Sequence, residues 1–127
     1  MVRFSEDFAT FPGTPFYTKR NDLNGLYHAT QVTAEQLKQI GVNLNLAPVC
    51  DLAPGTDEHV LAGRAASTDP KLVSRIVTRQ IEIMHEAGIL CCAKHFPGLG
   101  SSLGDPHTLL SGSTQSREKF RSRDYLP

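Results

Sequence analysis

The chain has no excess of charge of either sign. Its 127 residues carry 13 basic and 13 acidic side chains, so the formal net charge is zero. Nothing in that balance attracts nucleic acid or an anionic membrane, and neither is expected as a partner. No apolar run approaches the roughly 20 residues of a membrane span. The opening residues, M-V-R-F-S-E-D-F, lack the apolar stretch of a secretory signal, which makes the cytoplasm the expected location. Cysteine is scarce as well. Cys50, Cys91 and Cys92 lie in apolar, strand-like runs and read as buried thiols rather than a disulfide framework. No Cys/His spacing matches a structural zinc site, and no cofactor is expected.

What remains is a composition somewhat poor in apolar residues for a globular domain. The apolar fraction, 39%, lies well above the disordered class. The length allows one core but not a complete eight-unit β/α barrel, which needs about 250 residues.

Along the chain, two helical and two strand-like patterns stand out. Residues 1–28 have no clean period and read as an irregular segment anchored by Phe4, Phe8, Phe11 and Phe16. Ala29, Val32, Leu37 and Ile40 share one broad helical face, and Gly41 is a natural stop. Thr33 with Gln36 also fits a capping box, which would start that helix later. Val42, Leu44 and Leu46 then alternate with Asn43 and Asn45, a strand period that should end near Pro48 because proline cannot donate to a ladder. Residues 52–68 read as a loop. Asp69 as N-cap and Pro70 as first residue open the clearest helix, expected over 70–87 and closed by Gly88. It feeds a short apolar run, residues 89–93. Strand, helix, strand is a βαβ crossover, so the two strands should be parallel and right-handed, with both C-terminal ends on one rim. The tail is polar, with a short helix possible over 116–123.

The chemistry concentrates where the second strand ends. The stretch 89–107 reads I-L-C-C-A-K-H-F-P-G-L-G-S-S-L-G-D-P-H. An apolar run stops abruptly at Lys94 and His95, a Pro/Gly-rich turn follows, and Asp105 and His107 come after it. Ionisable groups at the mouth of a buried strand are costly unless paired or used. In parallel α/β folds this end of the strand is where chemistry gathers.

K-H-F-P-G-L-G followed by D-P-H resembles the glycoside hydrolase family 3 catalytic domain, in its β-N-acetylglucosaminidase branch. The family form is K-H-F-P-G-H-G, a short loop, then D-S-H. Leu99 replaces the second histidine and Pro106 the middle serine. Other stretches are similar to the same family. Val2-x-Phe4 around Arg3 and Phe11-Pro12-Gly13 resemble a region after its second barrel strand. The run V-N-L-N-L-A-P-V-C-D ending in Asp51 resembles the third strand. G-R-A-A-S around Arg64 resembles G-x-R-S-F-S, and Asp124-Tyr125-Leu126-Pro127 resembles D-L-x-P.

The resemblance implies an α/β fold, a fragment of a TIM-type (β/α)8 barrel with about two βα units and parallel strands, spanning 1–127 as a partial N-terminal domain. It implies a retaining glycoside hydrolase that removes terminal β-linked N-acetylglucosamine. His107 would be the acid/base and Asp105 its carboxylate partner. Lys94, His95, Arg64, Arg3 and Asp51 would contact or shape the site of an N-acetylglucosamine-containing saccharide. Imidazole suits proton exchange near neutrality, and a guanidinium fork can bridge two hydroxyl oxygens. Asp51 could instead cap the loop that follows it. The family's nucleophilic aspartate has no counterpart in these residues, so the chain alone is expected to be nearly silent. Two other readings stay open. One is a non-catalytic barrel remnant that binds sugar, associates with itself, or takes a complementing subunit through open edges. The other is a β-glycoside phosphorylase of the same family.

Overall fold

The computed structural model describes residues 8–54, 60–99, 102, 110, 112, 113 and 115–127. Its elements in order are α1 (Thr14–Thr18), α2 (Leu23–Gln39), β1 (Leu44–Asn45), α3 (Pro70–Glu86), β2 (Leu90–Cys91) and α4 (Arg117–Lys119), the last running directly into a π-helical turn, Phe120–Asp124. The two strands are parallel, with Leu44 opposite Leu90 and Asn45 opposite Cys91. Helix α3 crosses between them, as the βαβ reading requires.

The caps explain why the helices sit where they do. The Asp69 carboxylate accepts from the Lys71 N–H at 3.0 Å, and Pro70 opens α3 without wasting a donor. Gly88, at φ 82°, ends it in the left-handed conformation. Helix α2 starts earlier than its apolar period indicates. The Asp22 side chain accepts from Gly25 N–H, so Asp22 is the cap, not Thr33, whose hydroxyl instead donates to the Ala29 carbonyl inside the helix. The segment read as irregular also contains α1, which follows Gly13 and has Pro15 in its first turn.

Both long helices pack on one face of the strand pair. Tyr17, Leu26, Ala29, Leu52, Ala66, Val73, Ile76 and Val77 form one cluster; Ala34, Met84 and Ile89 form a second, with Leu37, Ala87 and Cys91 against it. The hydroxyl of Thr30 bridges the helices, donating to the Leu26 carbonyl and accepting from Gln80. The opposite face of the strands is bare: Leu44, Leu46 and Leu90 are 48%, 60% and 62% exposed. Cys92 is also exposed, and Cys50 and Cys91 are only half-buried, which corrects the expectation of three buried thiols. Strand residues alternate in facing, and only one face has a helix layer over it. No helix among the described residues is long and apolar enough to cross a membrane.

Beyond β1 and β2 the pairing resumes with a shift. Val49 bridges Lys94, so the first strand advances four residues from Asn45 while the second advances three from Cys91. One extra residue is accommodated at 46–48, the bulge geometry that bends a strand at its end. Pro48 sits there without needing a donor, and its carbonyl accepts from Lys94 N–H at 3.0 Å. The Cys50 N–H then donates to the Lys94 carbonyl at 2.6 Å. This bend delivers Asp51 to the turn after Lys94.

Candidate functional site

The site is built on one buried carboxylate. Asp51 is 3% exposed, and both of its oxygens are engaged by a turn more than forty residues away. Oδ2 accepts from the His95 backbone N–H at 3.0 Å and lies 2.6 Å from His95 Nδ1. Oδ1 accepts from the Leu99 N–H at 2.6 Å. A buried charge without partners would cost several kcal/mol, on the order of what three charge-assisted bonds return. The turn and the carboxylate therefore hold each other. Asp51 brackets this turn, and its hydrogen bonds go there and not to the loop that follows it.

Two side chains are left available by this arrangement. Because the Asp51 carboxylate accepts, Nδ1 of His95 carries the proton in the neutral ring and Nε2 is free to accept. The His95 side chain is 32% exposed. Among the described residues no carboxylate lies within ion-pair distance of the Lys94 ammonium, so its donors are uncommitted. The Leu99 contact goes through the backbone, which explains why a leucine at the family's second histidine leaves the bracket intact.

Gly98 completes the turn. Its φ of 112° favours glycine, and a Cβ placed there would sit 3.5 Å from Asp124 Cβ and 3.9 Å from Asp51 Oδ1. The end of the chain thus packs against this turn. The Tyr125 ring lies 5.5 Å from Phe96 and 5.9 Å from Phe120, centroid to centroid. Burial, ahead of the like charge of Asp51, pushes the Asp124 carboxyl above its ordinary range, against the lowering influence of Arg123 and Lys119. Burial, followed by the neighbouring Asp51 charge, likewise raises the Cys50 thiol, which makes it a poor nucleophile.

Arg64 stands in a different wall. It lines a mainly apolar groove of about 430 Å³ with Phe8, Phe11, Tyr17, Val49 and Met84; Lys94, His95 and Asp51 do not line it. Val49, which bridges Lys94, is the link between the two places. Residues 11–13 come together with the Arg64 loop: a side chain at Gly13 would collide with the Gly63 carbonyl. Ala65 and Ala66 are buried, and Thr18 donates to the Ala66 carbonyl at 2.7 Å. Asp105, His107 and Arg3 lie outside the described residues. Among the described residues, no three His, Cys, Asp or Glu side chains are grouped to hold a metal ion.

Periodicity gives no hint of Asp124, Tyr125 and Phe120 at the turn; the only signal is the ending that resembles D-L-x-P. Comparison with known proteins now places the chain. Residues 1–127 match the family described as glycosyl hydrolase family 3 N terminal domain. The chain belongs to that family. A β-hexosaminidase of Idiomarina loihiensis is 32% identical over 98% of this chain, and one of Photobacterium profundum is 34% identical over 98%. The chain spans 38% and 36% of the length of those two relatives. Among solved structures, native NagZ from Neisseria gonorrhoeae superposes with a TM-score of 0.88 at 26% identity, over 99% of this chain and 38% of that one. The same protein in complex with N-trifluoroacetyl-D-glucosamine superposes with a TM-score of 0.87, also at 26% identity, over 98% of this chain and 38% of that one. The βαβ unit and its bracketed turn thus belong to a family 3 domain.

Proposed function

We propose that the chain is the sugar-holding part of a β-N-acetylhexosaminidase, a two-unit piece of a (β/α)8 barrel. The observation that carries this is the turn held by Asp51: it fixes His95 with Nε2 free, beside a Lys94 ammonium with no carboxylate partner among the described residues. A point charge with three donors next to a fixed acceptor suits the vicinal hydroxyls of a pyranose. The family membership and the hexosaminidase relatives support a glycoside, and the complex of a NagZ with an N-acylglucosamine supports N-acetylglucosamine as the sugar.

In this reading Asp51 is a positioning residue, Lys94 and His95 hold the sugar, and Arg3 adds hydroxyl contacts; Arg64, which lines the separate apolar groove, is given no part in holding it. His107, assisted by Asp105, protonates the leaving oxygen and then activates water. The attacking carboxylate of a retaining mechanism comes from elsewhere in a complete barrel. The 127 residues alone should therefore release almost no phenol from an aryl N-acetyl-β-glucosaminide. Joined to a family 3 continuation carrying the nucleophile, they should gain activity that His107→Ala abolishes. Robust turnover by the chain alone, lost in His107→Ala, would contradict the division of labour. An active joined enzyme indifferent to His107 would contradict the acid/base role.

A further inference from the structure

The 94–99 turn is fastened from two sides. Asp51 holds it through three bonds from the strand side. On another side Gly98 faces Asp124, whose Cβ would lie 3.5 Å from a Cβ added at Gly98, and Phe96 meets Tyr125, which also meets Phe120. Phe96 is 83% exposed even with the Tyr125 ring beside it, so that ring covers only a small part of an otherwise open side chain. Oδ2 of Asp124 is buried, and nothing among the described residues donates to it. A buried polar atom left unpaired costs about 1–3 kcal/mol, so packing Asp124 here needs a compensating contact. The aromatic trio next to it supplies one. The chain leaves the turn at Leu99 and returns to the same turn at Asp124 and Tyr125.

We propose that Asp124 and Tyr125 are positioning residues that brace the 94–99 turn and so keep His95 in the ring orientation set by Asp51. This deepens the sugar-holding reading, on which its ligand readout rests. The physical argument is rigidity. A turn tied at Asp51 alone can pivot about that point; a second contact at Gly98 and Phe96 removes the pivot. Removing the Tyr125 ring should free Phe96, loosen Gly98, and let the His95 ring exchange between its Asp51-bonded orientation and others.

The test uses the full 127-residue chain and ring-nitrogen NMR of His95. The wild type should show the tautomer protonated at Nδ1, with a slowly exchanging, strongly hydrogen-bonded proton. Tyr125→Ala should replace this with averaged tautomers and weaken the response to added N-acetylglucosamine about tenfold, a change of about 1.4 kcal/mol. Tyr125→Phe should keep both properties. Asp124→Ala serves as a second, independent variant, and the methyl signals of Ile76 and Ile89 report whether the core is folded. If both alanine variants keep the core and the wild-type His95 signature, the brace is overturned. If the signature depends on Tyr125 but the wild type never responds to the sugar, the brace stands and the sugar-holding reading fails.

Discussion

The helix layer and the 94–99 turn are held together by opposite means. Around Ile76, Val73 and Ile89 there is apolar contact and almost nothing else; these three side chains are at most 1% exposed. Around Asp51 there is a charge surrounded by N–H donors from a distant loop. The first region has many small, non-directional contributions, so it resists unfolding but tolerates small shifts. The second has few, directional bonds, so it contributes less to stability but fixes atoms in place. Stability and geometry are thus assigned to different residues, one set on a face of the strand pair and the other beyond its C-terminal end.

The sharpest way to break the comparison is in the core. Ile76→Ala removes a fully buried side chain between α2 and α3 and should cost about 2–5 kcal/mol, a large share of the stability of a domain this small. Urea denaturation checks this, and a cost below about 1 kcal/mol would show that the layer is loosely packed.

The next effect is local. Asp51→Ala leaves the His95 and Leu99 N–H groups without their acceptor and should cost about 1–3 kcal/mol. Its signature should be uneven: hydrogen exchange at His95 and Leu99 should accelerate far more than at Ile76. Uniform acceleration would mean that the turn and the core are one cooperative unit.

The smallest effect is a pH dependence. The carboxyl of Asp124 titrates above its ordinary range in the folded chain, chiefly through burial, with Asp51 adding to the shift and Arg123 and Lys119 opposing it. The folded state then holds that proton more tightly than the unfolded state does. The resulting stabilisation is present at low pH and is lost as pH rises through the interval between the unfolded and the folded value. Asp124→Asn should flatten this part of the stability profile. An unchanged slope would show that Asp124 is solvated.

Much of the scaffold was readable in the sequence because it depends on local rules. Asp69-Pro70 and Gly88 mark the ends of α3, and the apolar spacing between them fixes its inward face. The parallel pairing follows from that helix lying between two short strands. The start of α2 was not readable from periodicity because Asp22 caps a stretch, Leu23-Asn24-Gly25, with a glycine in its first turn. The extra residue at 46–48 was also hidden, since a bulge is a property of two strands and not of one. For the site, Lys94 and His95 stood out together, as ionisable groups where an apolar run ends, and Asp51 through the family resemblance. That Asp51 serves His95 and Leu99 is a contact across more than forty residues, which no local pattern encodes. The link from Gly98 to Asp124 was hidden for the same reason.

The most direct test of the central claim, that the turn held by Asp51 is the sugar-holding element, is a titration of the wild-type chain with N-acetylglucosamine followed by NMR. Shifts should centre on Lys94 and His95 and should vanish in Lys94→Ala, with the core signals of Ile76 unmoved. Shifts centred instead on Phe11, Tyr17 and Met84 in the apolar groove, and unaffected by Lys94→Ala, would contradict it.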